Sequence, residues 1–192
     1  MKNYNLFCPQ CKKLCNCDVR TIKETYPVKG DSITIDALVS FCSECDTEIW
    51  NEEHDENNLQ TAYSAYRNAH GLLQPDEIRC IREKYGVSQT LFARILGLGD
   101  KTITRYENGS IQDKAQNNLI ALVSHPENFK ELVEQNRGII PDPDYERILS
   151  ALNALTIKLY VPQEKNIYEY NDSSIIVTNE FFGGIRKCTK VS

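Results

Sequence analysis

Neither an excess of positive charge nor a long apolar run is found in these 192 residues. With 22 Lys+Arg against 27 Asp+Glu the chain carries −5 at pH 7. That balance excludes a protein that holds nucleic acid by bulk charge alone, because such binding needs many cations to displace condensed counterions. No stretch approaches the roughly 20 apolar residues of a membrane span. The start, MKNYNLFCPQCKK, has no apolar core of signal-peptide length. The expected location is therefore the cytoplasm, with no membrane partner. Internal repeats and low-complexity tracts are missing too. So are paired acid/base carboxylates, a nucleophile–His arrangement and a Gly-rich phosphate loop. Most enzyme chemistry is left without a starting point, and the expectation is a protein that is not an enzyme.

Cysteine, by contrast, is abundant. Eight cysteines stand at 8, 11, 15, 17, 42, 45, 80 and 188, six of them within the first 45 residues. In a reducing cytosol, paired cysteines hold metal or do redox work more often than they form structural disulfides. Cys8-Pro9-Gln10-Cys11 and Cys42-Ser43-Glu44-Cys45 are two CxxC pairs separated by 30 residues. Two tight turns that each aim a pair of thiolates inward can complete one tetrahedral shell, and soft sulfur donors suit a single structural Zn2+ held by Cys8, Cys11, Cys42 and Cys45. A closed four-thiolate shell leaves no position open for substrate, so the ion staples a module too small for a large core. The rival is a thiol oxidoreductase, which needs only one pair, usually at a helix start. Two pairs in a strand-rich setting favour metal. Cys15 and Cys17 offer other ligand spacings and read as spare thiols, whereas Cys80 and Cys188 are isolated.

Four segments follow. Residues 1–50 form the zinc-binding domain, with strand character over 19–28 and 32–41 around the turn signal Lys29-Gly30-Asp31. This hairpin delivers the second cysteine pair. Residues 51–70 carry −3 and read as a connector helix with a Leu59, Tyr63, Tyr66 stripe. Residues 71–136 are a run of short helices. Residues 137–192 open with Pro141-Asp142-Pro143-Asp144 and form a C-terminal extension of unassigned role. In it Tyr145, Ile148, Leu149, Leu152, Leu155 and Leu159 make a helical stripe, and 167–170 with 175–178 make a candidate hairpin. The fold class is α+β.

Within the third segment Pro75 suits a first helical position, Gly86 a helix end, and Ser88 an N-cap with Val87 and Phe92 as a hydrophobic staple. Ala93, Ile95 and Leu96 fill the buried side of the next helix. Gly97-Leu98-Gly99 turns the chain, and Asp100 is placed to cap the helix after it. On that helix, at 100° per residue, Tyr106 and Glu107 lie about 60° and 40° either side of an inward Ile103. Lys101 and Arg105 point away, flanked by Thr104 and Asn108. Such a face suits the major groove, where Arg and Lys donate to guanine. On composition alone a solvated face of a small bundle is the commoner arrangement. Ala115, Leu119, Leu122 and Val123 continue the bundle over 113–124, and Phe129, Leu132 and Val133 recur after Pro126. His54, His70 and His125 have no spacing that suggests ligation.

Ser88-Gln89, the Gly-containing turn and Ile103-Thr104-Arg105-Tyr106-Glu107-Asn108-Gly109 resemble the Xre/lambda-repressor-like helix-turn-helix class. The resemblance implies that Gln89 contacts a phosphate, that Lys101 and Arg105 read bases with Thr102 beside them, and that Asn108 bonds the backbone just past the helix. It also implies an Arg82–Glu107 ion pair as scaffold. CPQC, hairpin, CSEC, connector and LLQPDEIRCIREKYGVSQTLFARILGLGDKTITRYENG together resemble the MqsA (YgiT) family from about residue 5 to about 136. For this chain that implies the antitoxin of a type II toxin–antitoxin system: a homodimer binding a palindromic operator in double-stranded DNA, repressing its own operon and binding a toxin protein. A prophage or mobile-element regulator without a toxin is the alternative. The extension beyond 136 departs from the compact family pattern.

Overall fold

The computed structural model describes residues 4–160, with side chains over 5–155. The candidate hairpin at 167–178, the Leu159 side chain and Cys188 lie outside the described residues. The fold is α+β: an antiparallel sheet at the N-terminus followed by helices. The chain divides into two compact units, one made of residues 1–75 with 105–118 and the other of 76–104 with the chain from 119 onward.

The first unit is built on four antiparallel strands in the order β1 (Tyr4–Cys8), β2 (Lys13–Val28), β3 (Asp31–Cys42), β4 (Glu48–Ile49). The expected hairpin lies inside it. Val28 pairs with Asp31, so Lys29 and Gly30 alone make the turn. Their φ values of +49° and +96° are the left-handed pair that matches strand twist in two-residue hairpins. The strand β2 runs longer than its apolar pattern suggests, because its first residues pair with β1 from Cys8↔Lys13 to Tyr4↔Cys17. Ile35, Ala37 and Val39 of β3 are buried, while Leu38 points outward.

Helix α1 (Glu52–His70) is capped by Asn51, which accepts from the Glu53 and His54 amides. It packs on β3, where Ala62 joins Val28, Ile35, Ala37 and Val39 in one core. Tyr63 and Tyr66 of the expected stripe pack half-buried against this core, but Leu59 is 38% exposed, and the fully buried positions are His54, Asn58, Ala62 and Arg67. The cause is the brevity of β4, which pairs only with Ser40 and Phe41. Beyond it the Asn58 carboxamide takes over the strand's role, donating to the Leu38 carbonyl and accepting from the Leu38 amide, each at 2.9 Å. A part-buried main-chain pair out of reach of β4 is satisfied by such partners, so this face takes polar residues.

The second unit contains α2 (Pro75–Glu83) from Asp76 onward, α3 (Gln89–Ile95), the start of α4 (Thr102–Glu107), the end of α5 (Lys114–Leu122), α6 (Pro126–Gln135) and α7 (Asp142–Tyr160). Tyr85 stacks on Phe129 at 4.1 Å between ring centroids, and Phe92 meets Phe129 at 5.6 Å. The Tyr85 hydroxyl donates to the Val123 carbonyl at 2.7 Å, which satisfies its one polar atom in the core. Ser88 caps α3 by accepting from the Leu91 amide, and its staple residues Val87 and Phe92 are both buried. Asp100 does not stand as a simple cap, because both its carboxylate oxygens face the Arg94 guanidinium at 2.9 and 2.7 Å. Of the stripe expected along α5 and just past it, Val123 is buried and Leu119 half-buried, while Ala115 and Leu122 are exposed. Asn117 and Ile120 are the buried positions on α5 itself. Asn117 turns inward because its carbonyl accepts from the Leu73 amide at 2.8 Å. The Pro/Asp run at 141–144 opens α7 rather than breaking the chain, with Asp142 and Asp144 at the positive end of that helix. Ile148 and Leu152 of α7 are buried, and the helix packs against α6.

Candidate metal centre and nucleic-acid interface

The two CxxC turns are built alike. In the first, the Lys12 amide donates to the Cys8 carbonyl at 2.9 Å; in the second, the Asp46 amide donates to the Cys42 carbonyl at 2.9 Å. Lys12 and Asp46, each next to a second cysteine, have φ of +56° and +59°. One turn follows β1 and the other ends β3, and β2 lies between those strands. Cys17 pairs with Cys42 in register, so the sheet itself sets one turn over the other.

The result is a cluster in which the sulfurs of Cys8, Cys11, Cys42 and Cys45 all lie within 4.8 Å of one another. Cys8 and Cys45 are 3.5 Å apart, and Cys11 and Cys42 are 3.9 Å apart. A tetrahedral ion with bonds of about 2.3 Å to sulfur sets its ligands about 3.8 Å apart. The donors therefore fit, and these four thiols could hold a metal ion. The separations are far from the roughly 2.0 Å of a disulfide. Local donors favour thiolate at Cys42 and Cys45. The Cys11 amide points at Cys8 Sγ at 3.3 Å. The Thr47 hydroxyl and amide pull the Cys45 thiol down to about 6. The Glu44 amide, with that of Cys45, holds Cys42 below its ordinary value, against burial. Cys11 is pushed up, first by its hydrogen bond with Cys45 and then by burial. Cys15 is buried beside the cluster with its thiol directed at the Lys13 carbonyl, and Cys17 is half-buried.

Along α4, Ile103, Tyr106 and Glu107 are buried while Lys101, Arg105 and Asn108 are exposed and Thr104 is half-buried. Thr102 differs from its expected place beside Lys101 and Arg105: it is 9% exposed and turned inward. Gln89 is drawn to this surface by Thr104, whose hydroxyl donates to its side-chain carbonyl at 2.9 Å. Arg82 donates to the Val87 carbonyl at 3.0 Å and lies 3.4 Å from Glu83. His54 is not idle: its Nδ1 lies 3.1 Å from the buried Ser40 hydroxyl, and His70 pairs with Asp31 at 2.6 Å.

Two residues escaped the reading of the sequence. Asn58 and Arg67 are polar side chains buried on α1, and no spacing rule marks them. The one available signal is that α1 has polar residues at i and i+4, His54 and Asn58, where an amphipathic helix would carry apolar ones.

Among the described residues no helix is long and apolar enough to cross a membrane. A family model described as the antitoxin component of bacterial toxin-antitoxin system, MqsA, matches residues 6–135. The chain is 34% identical over 87 residues to Antitoxin HigA-2 of Vibrio cholerae, covering 43% of this chain and 83% of that protein. It is 28% identical over 104 residues to Antitoxin PezA of Streptococcus pneumoniae, covering 50% of this chain and 60% of that one. The match therefore spans less than two thirds of PezA.

Proposed function

Because the chain belongs to the MqsA antitoxin family, we propose that it is the antitoxin of a type II toxin–antitoxin system and a sequence-specific repressor of its own operon. Residues 1–50 are the zinc-binding domain, 51–70 the connector helix, 71–136 the Xre-type helix-turn-helix domain and 137–192 a C-terminal extension. One Zn2+ on Cys8, Cys11, Cys42 and Cys45 supplies cross-linking of the two turns and no reaction, since a closed thiolate shell has no open coordination position. The protein acts by binding, not by catalysis, in the cytoplasm.

The observation that carries the DNA reading is that Lys101, Arg105 and Asn108 are exposed while Ile103 among them is buried. Lys101 and Arg105 donate to base edges in the major groove, with Thr104 beside them, and Asn108 reaches the DNA backbone just past the helix. Gln89, held by Thr104, contacts a phosphate, while Thr102 supports the helix start from behind. A net charge of −5 gives weak non-specific binding, so affinity depends on a homodimer matching two half-sites of a palindrome. Gel-shift titration of the chain's own upstream DNA tests this. Arg105→Ala should cost about 1–3 kcal/mol for each half-site in which Arg105 makes a bidentate contact. Equal affinity of wild type and variant would remove Arg105 from base reading.

A further inference from the structure

Arg67 of α1 is 1% exposed, among the bulkiest fully buried side chains of the described residues. Its guanidinium donates to the Gly109 carbonyl, and its Nε has no partner. No carboxylate pairs with it among the described residues. Taking a guanidinium out of water under those terms is costly. An aliphatic side chain of similar volume would pack there without that cost. Its one strong contact therefore needs a reason.

That contact falls on the exit of α4. The Ser110 amide donates to the Arg105 carbonyl at 2.9 Å and the Gly109 amide to the Tyr106 carbonyl at 3.1 Å. With Gly109 at φ +98°, these two bonds make a Schellman cap. The flexible end of the Gln60 side chain lies over Gly109, where a Cβ would displace it. The segment after it is strapped as well. Gln112 Nε2 donates to the Leu73 carbonyl at 2.6 Å, and Lys114 Nζ donates to the His70 carbonyl at 3.3 Å. Every one of these ties lies within the first unit, so the last turn of α4 is fastened to α1 by side chains.

We infer that Arg67 is a positioning residue for DNA reading, which it serves by holding the Gly109 cap and so fixing the direction in which Arg105 and Asn108 project. The inference rests on the reading of α4 as the DNA-reading helix. Arg67 touches no base on this account. Its effect is on specificity, because a tilted last turn loses base contacts while charge attraction to phosphate persists.

The test is fluorescence anisotropy with two duplexes of equal length, one from the chain's own upstream DNA and one with that sequence scrambled. Arg67→Met should lower the ratio of the two affinities by about tenfold or more, the scale of one lost bidentate base contact, with binding to the scrambled duplex unchanged. Arg67→Lys, which keeps a donor for Gly109, should recover part of the ratio. A fall in both affinities alike, or an unchanged ratio in Arg67→Met while Arg105→Ala loses it, overturns the inference and leaves base reading by Arg105 standing. No preference in wild type, or none lost in Arg105→Ala, overturns both. Should Arg67→Met fail to melt cooperatively, Gly109→Ala disturbs the same cap from the other side, and a wild-type ratio in that variant overturns the inference.

Discussion

The two compact units are held by different kinds of force. In the first, the apolar core has Val28, Ile35, Ala37, Val39 and Ala62 fully buried, with half-buried side chains such as Ile33, Tyr63 and Tyr66 packed against them. Its remaining ties are directional, namely four convergent thiols, Asn58 on the Leu38 main chain and Arg67 on Gly109. In the second, a stack of Tyr85, Phe92 and Phe129 lies in a core that also buries Ile78, Ile81, Ile95, Val123, Val133, Ile148 and Leu152. Apolar packing tolerates many substitutions if volume is kept, whereas a directional tie is lost with its one donor or acceptor. The first unit should therefore be brittle at single side chains, and the second should give way only when its core is cut.

Cys42→Ser gives the strongest test of that contrast. In small metal-stapled modules, metal binding supplies most of the folding free energy. The zinc proposed for the four thiols should be missing from the variant, by elemental analysis of the purified protein, and amide exchange across β2 and β3 should become fast. Exchange in α3 and α6 should stay slow. Equal protection of the sheet with and without the fourth thiol would show that the apolar core suffices, and the contrast would collapse.

A smaller effect is expected away from the four thiols. Asn58→Ala strands the amide and carbonyl of Leu38 at a point that β4 does not reach. Unpaired buried main-chain groups cost about 1–3 kcal/mol each, and some water entry will soften that. A loss of about 2–3 kcal/mol in denaturant unfolding, with bound zinc unchanged, separates the main-chain tie from the thiol tie. A loss below about 0.5 kcal/mol, the size of an ordinary surface substitution, would demote Asn58 to a bystander.

The same contrast explains which parts could be read in advance. The cysteine cluster was visible because CxxC spacing is local chemistry, and the two turns needed only the hairpin between them to meet. Pro75, Gly86, Ser88 and Gly97 marked helix ends for equally local reasons of backbone geometry. The inward Ile103 and outward Arg105 followed from helical period alone. Failures came where a polar group served a distant main chain. Asn58 answers Leu38 and Asn117 answers Leu73, so these polar side chains took buried positions while Leu59 on α1 and Ala115 and Leu122 on α5 came out exposed. The resemblance set Thr102 beside the reading residues, yet its side chain is buried, with its hydroxyl near Gly99. Period finds a face only when apolar burial alone decides which face is inside.

The smallest effect belongs to the second unit, and its smallness is the point. Asp100 and Arg94 meet through two hydrogen bonds, yet both side chains are about half exposed, at 51% each. The guanidinium hydrogen bonds hold the Asp100 carboxyl below its ordinary value of 3.8. A carboxyl lowered on folding adds stability at pH above its unfolded value, and that contribution fades as the pH falls through the lower folded value. The window therefore lies below about pH 4, and at neutral pH the contribution is complete but screened by solvent. Titration of the Asp100 side-chain carbon by NMR should give a midpoint below 3.8 in wild type and one returned toward 3.8 in Arg94→Ala. Neutral-pH melting of Arg94→Ala should scarcely change. A midpoint at 3.8 in both proteins would break the pair; a large fall in melting temperature would mean that this unit too leans on a directional tie, and the contrast with the thiol-held unit would lose its second half.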